Sequence, residues 1–164
     1  MYCTSAAQQV SSMPRLLMRM SLAILPGLFL IATDANGQGF QPRPAAIKPD
    51  HTVVSSDQFQ DRITVKFKDG LKVRLRQGML TDNGTGALAG AAERGALQAV
   101  SRGQWQRSYP VDELRLDQLR ASAEQSLNRQ IADLNLQYEL LLPAGLSAAA
   151  AIDMFNALEC VELA

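Results

Sequence analysis

The sequence predicts an α+β sandwich, an antiparallel sheet with two main helices on one face. Three observations carry the expectation: two short segments with strict apolar–polar alternation, an apolar stripe at helical spacing across residues 113–133, and the order β-β, insertion, α, β, α, β.

In Arg62-Ile63-Thr64-Val65-Lys66-Phe67 and Leu71-Lys72-Val73-Arg74-Leu75-Arg76 every second residue is apolar, the period of a half-buried strand. Lys68-Asp69-Gly70 lies between them. A two-residue Asp-Gly turn would set Phe67 opposite Lys72. A three-residue loop with Gly70 in the left-handed conformation instead pairs Phe67 with Leu71, Val65 with Val73 and Ile63 with Leu75, and this hairpin is expected. Its other face shows Arg62, Lys66, Lys72, Arg74 and Arg76, a solvated sheet face or, less economically, a basic patch for an acidic partner.

Residues 77–109 read as a Gly/Ala-rich insertion with a turn at Asn83-Gly84 and a short helix near 87–100. Its glycines form no phosphate loop, because no Gly-Lys-Ser/Thr follows and the strand-to-helix spacing of a dinucleotide site is missing. Trp105 is expected to anchor this insertion on the core. In the helix expected over 113–133, Leu116, Leu119, Ala123, Leu127, Ile131 and Leu134 recur at steps of three or four. Pro110 and Asp112 mark its start, and Asp112, Glu113 and Asp117 offset its dipole rather than forming an acid/base pair. Leu136 to Leu142 reads as a strand stopped by Pro143-Ala144-Gly145. Ser147 caps a helix whose Ala148, Ala151, Ile152, Phe155 and Leu158 share a face, and Cys160-Val161-Glu162-Leu163 forms a last short strand.

Composition narrows the function. With 47% hydrophobic and 20% charged residues the chain is globular, and 16 basic residues against 16 acidic ones leave no excess for phosphate, so no nucleic-acid partner is expected. The single histidine, His51, removes the material for a Ser-His-Asp, Cys-His or His-rich metal site. No catalytic, cofactor-binding or metal-ligating residue is assigned, and no cofactor is expected. Residues 13–37 have a basic start (Arg15, Arg19), an apolar run from Leu22 to Ala32 and small residues around Ala35-Asn36-Gly37, which together read as a secretory signal peptide cut after Gly37. The run is too short to cross a bilayer and Pro26-Gly27 interrupts it, so no stable membrane insertion follows cleavage and the mature chain is secreted or periplasmic. A start at Met13 gives this signal an ordinary length. Residues 38–60, with three prolines, read as a linker or extended arm in which His51 is solvated, and residues 61–164 form the domain. Removal of Cys3 leaves Cys160 alone, a small buried apolar residue with no disulfide partner.

Three stretches resemble a known family. Asp61-Arg62-Ile63-Thr64-Val65-Lys66-Phe67-Lys68-Asp69-Gly70, Ala132-Asp133-Leu134-Asn135-Leu136-Gln137-Tyr138-Glu139-Leu140-Leu141-Leu142-Pro143 and Phe155-Asn156-Ala157-Leu158-Glu159-Cys160-Val161-Glu162-Leu163-Ala164 are similar to the N-terminal pro-region, of the fervidolysin-like type, of secreted bacterial subtilisin-like serine proteases. The resemblance implies a ferredoxin-like domain that packs its sheet on the protease catalytic domain, assists its folding, and blocks its active site with the segment after the last strand. It implies Tyr138, Glu139, Glu162, Leu163 and Ala164 as partner contacts. Two departures stand out: Glu159 occupies a position where many relatives carry proline, and the sequence stops at Ala164 before the blocking segment and the catalytic domain. The expectation is therefore a non-catalytic pro-region, detached or truncated. The alternative is an exported structural or adaptor domain of the cell envelope without a protease partner, using the basic hairpin face.

Overall fold

In a computed structural model the described residues are 39–164. The expected signal peptide, its cleavage point after Gly37 and the alternative start at Met13 lie outside them.

The fold is α+β. Strand β1 (Arg62–Phe67) leads to β2 (Val73–Arg76) and β3 (Met79–Asp82), then to helix α1 (Ala91–Ala99) and β4 (Gln104–Arg107). Helix α2 (Glu113–Leu127), a single 3-10 turn (Leu134–Leu136), β5 (Gln137–Leu141), α3 (Ala148–Asn156) and β6 (Val161–Leu163) complete the order. Four strands make one antiparallel sheet in the order β4-β5-β1-β6, and β2 and β3 form a separate two-stranded ribbon.

The alternation of β1 does what its period requires. Ile63, Val65 and Phe67 are buried on one face while Arg62, Thr64 and Lys66 stand on the other. Their partner, however, is not the segment expected. β1 pairs with β5, Ile63 opposite Leu140 and Val65 opposite Tyr138, and on its other side with β6, Phe67 opposite Val161. Gly70 does adopt positive φ (+86°), yet the chain after it leaves the sheet. β2 folds back on β3 through Gln77-Gly78, where both residues have positive φ (51° and 79°), the geometry that a tight two-residue hairpin needs to match strand twist. The alternating pattern of residues 71–76 suits either hairpin; the tight turn at 77–78 captures it locally, which frees β1 for strands from the far end of the chain.

The dry face of the sheet is covered by α1, α3 and the β2–β3 ribbon. Ala96 and Val100 from α1 and Ala148, Ala151 and Phe155 from α3 join Ile63, Val65, Phe67, Tyr138, Leu140 and Val161 in one core. Ser147 caps α3 as expected, its Oγ accepting from Ala150 N–H at 3.2 Å. Trp105 packs on the core as expected, meeting Phe155 and Tyr138 edge-on with centroids 5.6 and 6.5 Å away, but it does so from β4, an outer strand of the sheet itself, so residues 77–109 are not a mere insertion. Gly103 stands where β4 begins so close to β5 that a Cβ would lie 2.5 Å from the Leu141 carbonyl oxygen.

The long helix is shorter and less buried than its stripe implies. Asn128 in the left-handed conformation (φ 48°) ends α2 before Ile131 and Leu134. Only Leu116 is buried on it, while Leu119 and Leu127 are about half exposed at 48% and 54%. The helices that pack on the sheet are therefore α1 and α3, not α2. What fixes the start of α2 is polar: Asp112 accepts from Arg115 N–H at 3.2 Å, and the buried Asn135 amide donates to Glu113 O and Asp117 Oδ1 at 2.9 Å each.

Tyr138 joins these layers. Its ring is 1% exposed and its hydroxyl lies 2.8 Å from Asn135 O and 3.0 Å from Val73 O, one proton serving two carbonyls that link β5 to β2. Burial pushes this phenol up to about 12. Two substitutions separate packing from hydrogen bonding, read as urea unfolding midpoints. Phe155→Ala is expected to cost about 3–5 kcal/mol through lost burial and a cavity, and Tyr138→Phe about 1–2 kcal/mol through unmet carbonyls; equal losses would contradict the division.

Candidate functional site

Among the described residues, no layer covers one face of the four-stranded sheet. β1 offers Arg62, Thr64 and Lys66 there, β5 offers Gln137, Glu139 and Leu141, and β4 offers Gln104 and Gln106. Cross-strand register sets Thr64 beside Glu139 and Glu139 beside Gln106, whose amide donates to Glu139 Oε2 at 2.8 Å. The face is thus a shallow, mostly uncharged polar surface with one carboxylate at its centre.

Residues 39–53 are not a free linker. Gln41 forms a one-residue parallel bridge with Arg129, its N–H donating to Asn128 O and its carbonyl accepting from Gln130 N–H. Arg43 then donates to Glu162 Oε2 at 2.6 Å and to Asp69 Oδ2 at 2.8 Å, and Lys66 Nζ reaches Asp69 Oδ1 at 2.6 Å. Asp69 Oδ1 also accepts from Asp133 N–H at 2.9 Å, and Asp133 pairs with Arg120 at 2.9 Å. Farther along the arm, Lys48 Nζ donates to the carbonyls of Asn156 and Leu158 at 2.8 Å each, closing the C-terminal end of α3. His51 Nδ1 and Thr52 N–H both meet the Asp153 carboxylate at 2.8 Å, so the histidine is solvated, as expected, yet also held.

The electrostatics follow from these contacts. Burial raises the Asp69 carboxyl, but the hydrogen bonds from Lys66, Asp133 N–H and Arg43 outweigh it and hold it at about 2. Arg43 likewise keeps Glu162 below the ordinary glutamate range, while burial lowers the Lys48 ammonium and raises the Cys160 thiol.

The five expected contact residues divide. Glu139 lies on the open face and Leu163 is 38% exposed opposite Lys66. Tyr138 is turned into the core and presents no surface, because adjacent residues of a strand point to opposite sides. Glu162 is taken up by Arg43 and Lys66, and Ala164 N–H is bound to Asn156 Oδ1 at 2.8 Å. The five basic residues do not make one patch: Arg62 and Lys66 stand on the sheet, whereas Lys72 directly precedes the ribbon and Arg74 and Arg76 lie on it and share Glu113 at 3.7 and 2.7 Å. The structurally decisive roles of Arg43, Lys48 and Asp69 are hidden in the sequence: Arg43 and Lys48 show only as cationic residues in a proline-bearing arm, and Asp69 shows only as a turn residue after β1.

Among the described residues no group of three His, Cys, Asp or Glu side chains is arranged to hold a metal ion, and no helix is long and apolar enough to cross a membrane. No family model matches the chain, and no curated protein or solved structure matches it either.

The acid cluster sets a pH dependence. Carboxyls held below their unfolded values contribute stability that is complete above about pH 4–5 and is lost as pH falls toward about 2. Arg43→Met is expected to lower stability at neutral pH and to flatten this acid limb, measured as urea midpoint against pH. An unchanged slope would show that the cluster does not carry the acid response.

Proposed function

We propose that the chain is a non-catalytic, exported pro-region that assists the folding of a subtilisin-like serine protease and inhibits it, working in the secreted or periplasmic space. Within this reading the domain is ferredoxin-like. The support is connectivity: β1, β4, β5 and β6 occupy the order β4-β5-β1-β6, with α1 in the first crossover, α3 in the last and both on one face. The β2–β3 ribbon and α2 are then insertions into that plan.

The observation that carries the reading is the open sheet face. A sheet that the described residues cover on one side only, with a band of small and amide side chains around Thr64, Glu139 and Gln106, suits a broad, shape-matched contact better than a small-molecule site. Such a surface stabilises a partner's folded state by binding it in preference to the unfolded chain. Of the contacts implied by the resemblance, Glu139 and Leu163 serve this role through their side chains. Tyr138, Glu162 and Ala164 serve it by shaping β5 and β6.

The test adds the full chain to a subtilisin-like protease encoded beside it, after unfolding in guanidinium and dilution. Activity is expected to return faster, and the refolded enzyme to be inhibited at micromolar chain. Glu139→Arg is expected to weaken both effects by about tenfold or more without changing the urea midpoint, as for a central interface residue. Absence of any effect at micromolar concentration removes the reading.

A further inference from the structure

β4 is an outer strand, and its register with β5 decides which of its backbone groups are spent. Ser108 N–H donates to Gln137 O at 3.2 Å, so in antiparallel alternation Gln106 and Gln104 also face β5. The N–H and C=O of Trp105 and Arg107 therefore point away from the sheet. Among the described residues no other strand is registered on that side. Beneath the same edge, on the helix side, lies a cavity of about 270 Å³ walled by Met79, Leu80, Leu97, Val100 and Trp105. Arg107, half-buried, donates to Asn135 Oδ1 at 3.0 Å and makes no ion pair among the described residues.

From these three features we propose that the outer edge of β4 takes an extended peptide strand of a partner protein, one that carries an acidic residue followed two positions later by a large aliphatic residue. Residues directly opposite in an antiparallel pair share a face. The residue facing Trp105 thus sends its side chain into the cavity, and the residue facing Arg107 lies on the guanidinium side. In antiparallel direction the residue opposite Arg107 comes first. Backbone groups of Trp105 and Arg107 supply the hydrogen bonds, the cavity selects the aliphatic side chain, and Arg107 selects the acid. A second copy of this chain fits worse, because the self-paired register that sets Trp105 opposite Arg107 lowers a guanidinium onto an apolar cavity. This edge is separate from the open face used in the proposed function, and the two stand or fall independently.

The test titrates the full chain with the blocked peptide acetyl-Thr-Glu-Thr-Leu-Thr-amide. Trp105 is the only tryptophan, so its emission reports the edge directly. A saturable emission change and slowed amide exchange at Trp105 and Arg107 are expected. Methylating the leucine nitrogen, replacing the peptide's glutamate with lysine, or introducing Met79→Asp at a residue 64% exposed is each expected to weaken binding by about tenfold or more. No saturable change up to about 1 mM peptide, or equal binding of the N-methyl peptide, overturns the proposal. So does concentration-dependent dimerisation abolished by Met79→Asp, which would give the edge to a second copy.

Discussion

Everything in this domain depends on β1 lying between β5 and β6. Its three apolar side chains, Ile63, Val65 and Phe67, supply the middle of the core, and both of its backbone edges are consumed by strands from the far end of the chain. Local contacts alone cannot build such a sheet. The loop-closure entropy of bringing the ends of the domain together is spent before the pairing is gained, so β1, β5 and β6 are expected to form as one cooperative unit. The polar cluster then acts on the same seam. Arg43, Lys66, Asp69 and Glu162 join the arm, β1, the following turn and β6 at one point, and each ion has an opposite charge within hydrogen-bonding reach.

How much of this was legible in the sequence follows from the range of each signal. Period-two alternation marks β1, a strand-like run stopped by Pro143-Ala144-Gly145 marks β5, and a serine cap before a periodic apolar face marks α3, because those signals are confined to one element. Pairing is not a local property. Residues 71–76 alternate as cleanly as β1, and their true partner was hidden by a turn at Gln77-Gly78, where glutamine is an uncommon residue for positive φ. β4 carries no such signal, because Gln104-Trp105-Gln106-Arg107 has a single apolar residue and shows no repeat.

The site was less legible than the fold. Parity along a strand tells which residues share a face but not which face is covered, so Tyr138 and Glu139 could not both be outside; the structure buries Tyr138. A linker and an extended arm look alike in residues 38–60, because the anchors Arg43, Lys48 and His51 meet residues more than twenty positions away. The α2 stripe was legible as a period yet misleading as burial, since an amphipathic pattern reports what a helix can cover, not what is there to cover.

Native-state hydrogen exchange on the full chain, read residue by residue under mild urea, tests whether β1, β5 and β6 are one unit. The amides of Ile63 and Val65, on the β5 side, and of Lys66 and Lys68, on the β6 side, are expected to exchange through one common opening of high free energy, with the arm opening at lower cost. Rapid exchange at Lys66, Lys68 and Leu163 beside lasting protection of Ile63 and Val65 would contradict it, because the last strand would then be an accessory to the sheet rather than part of its foundation.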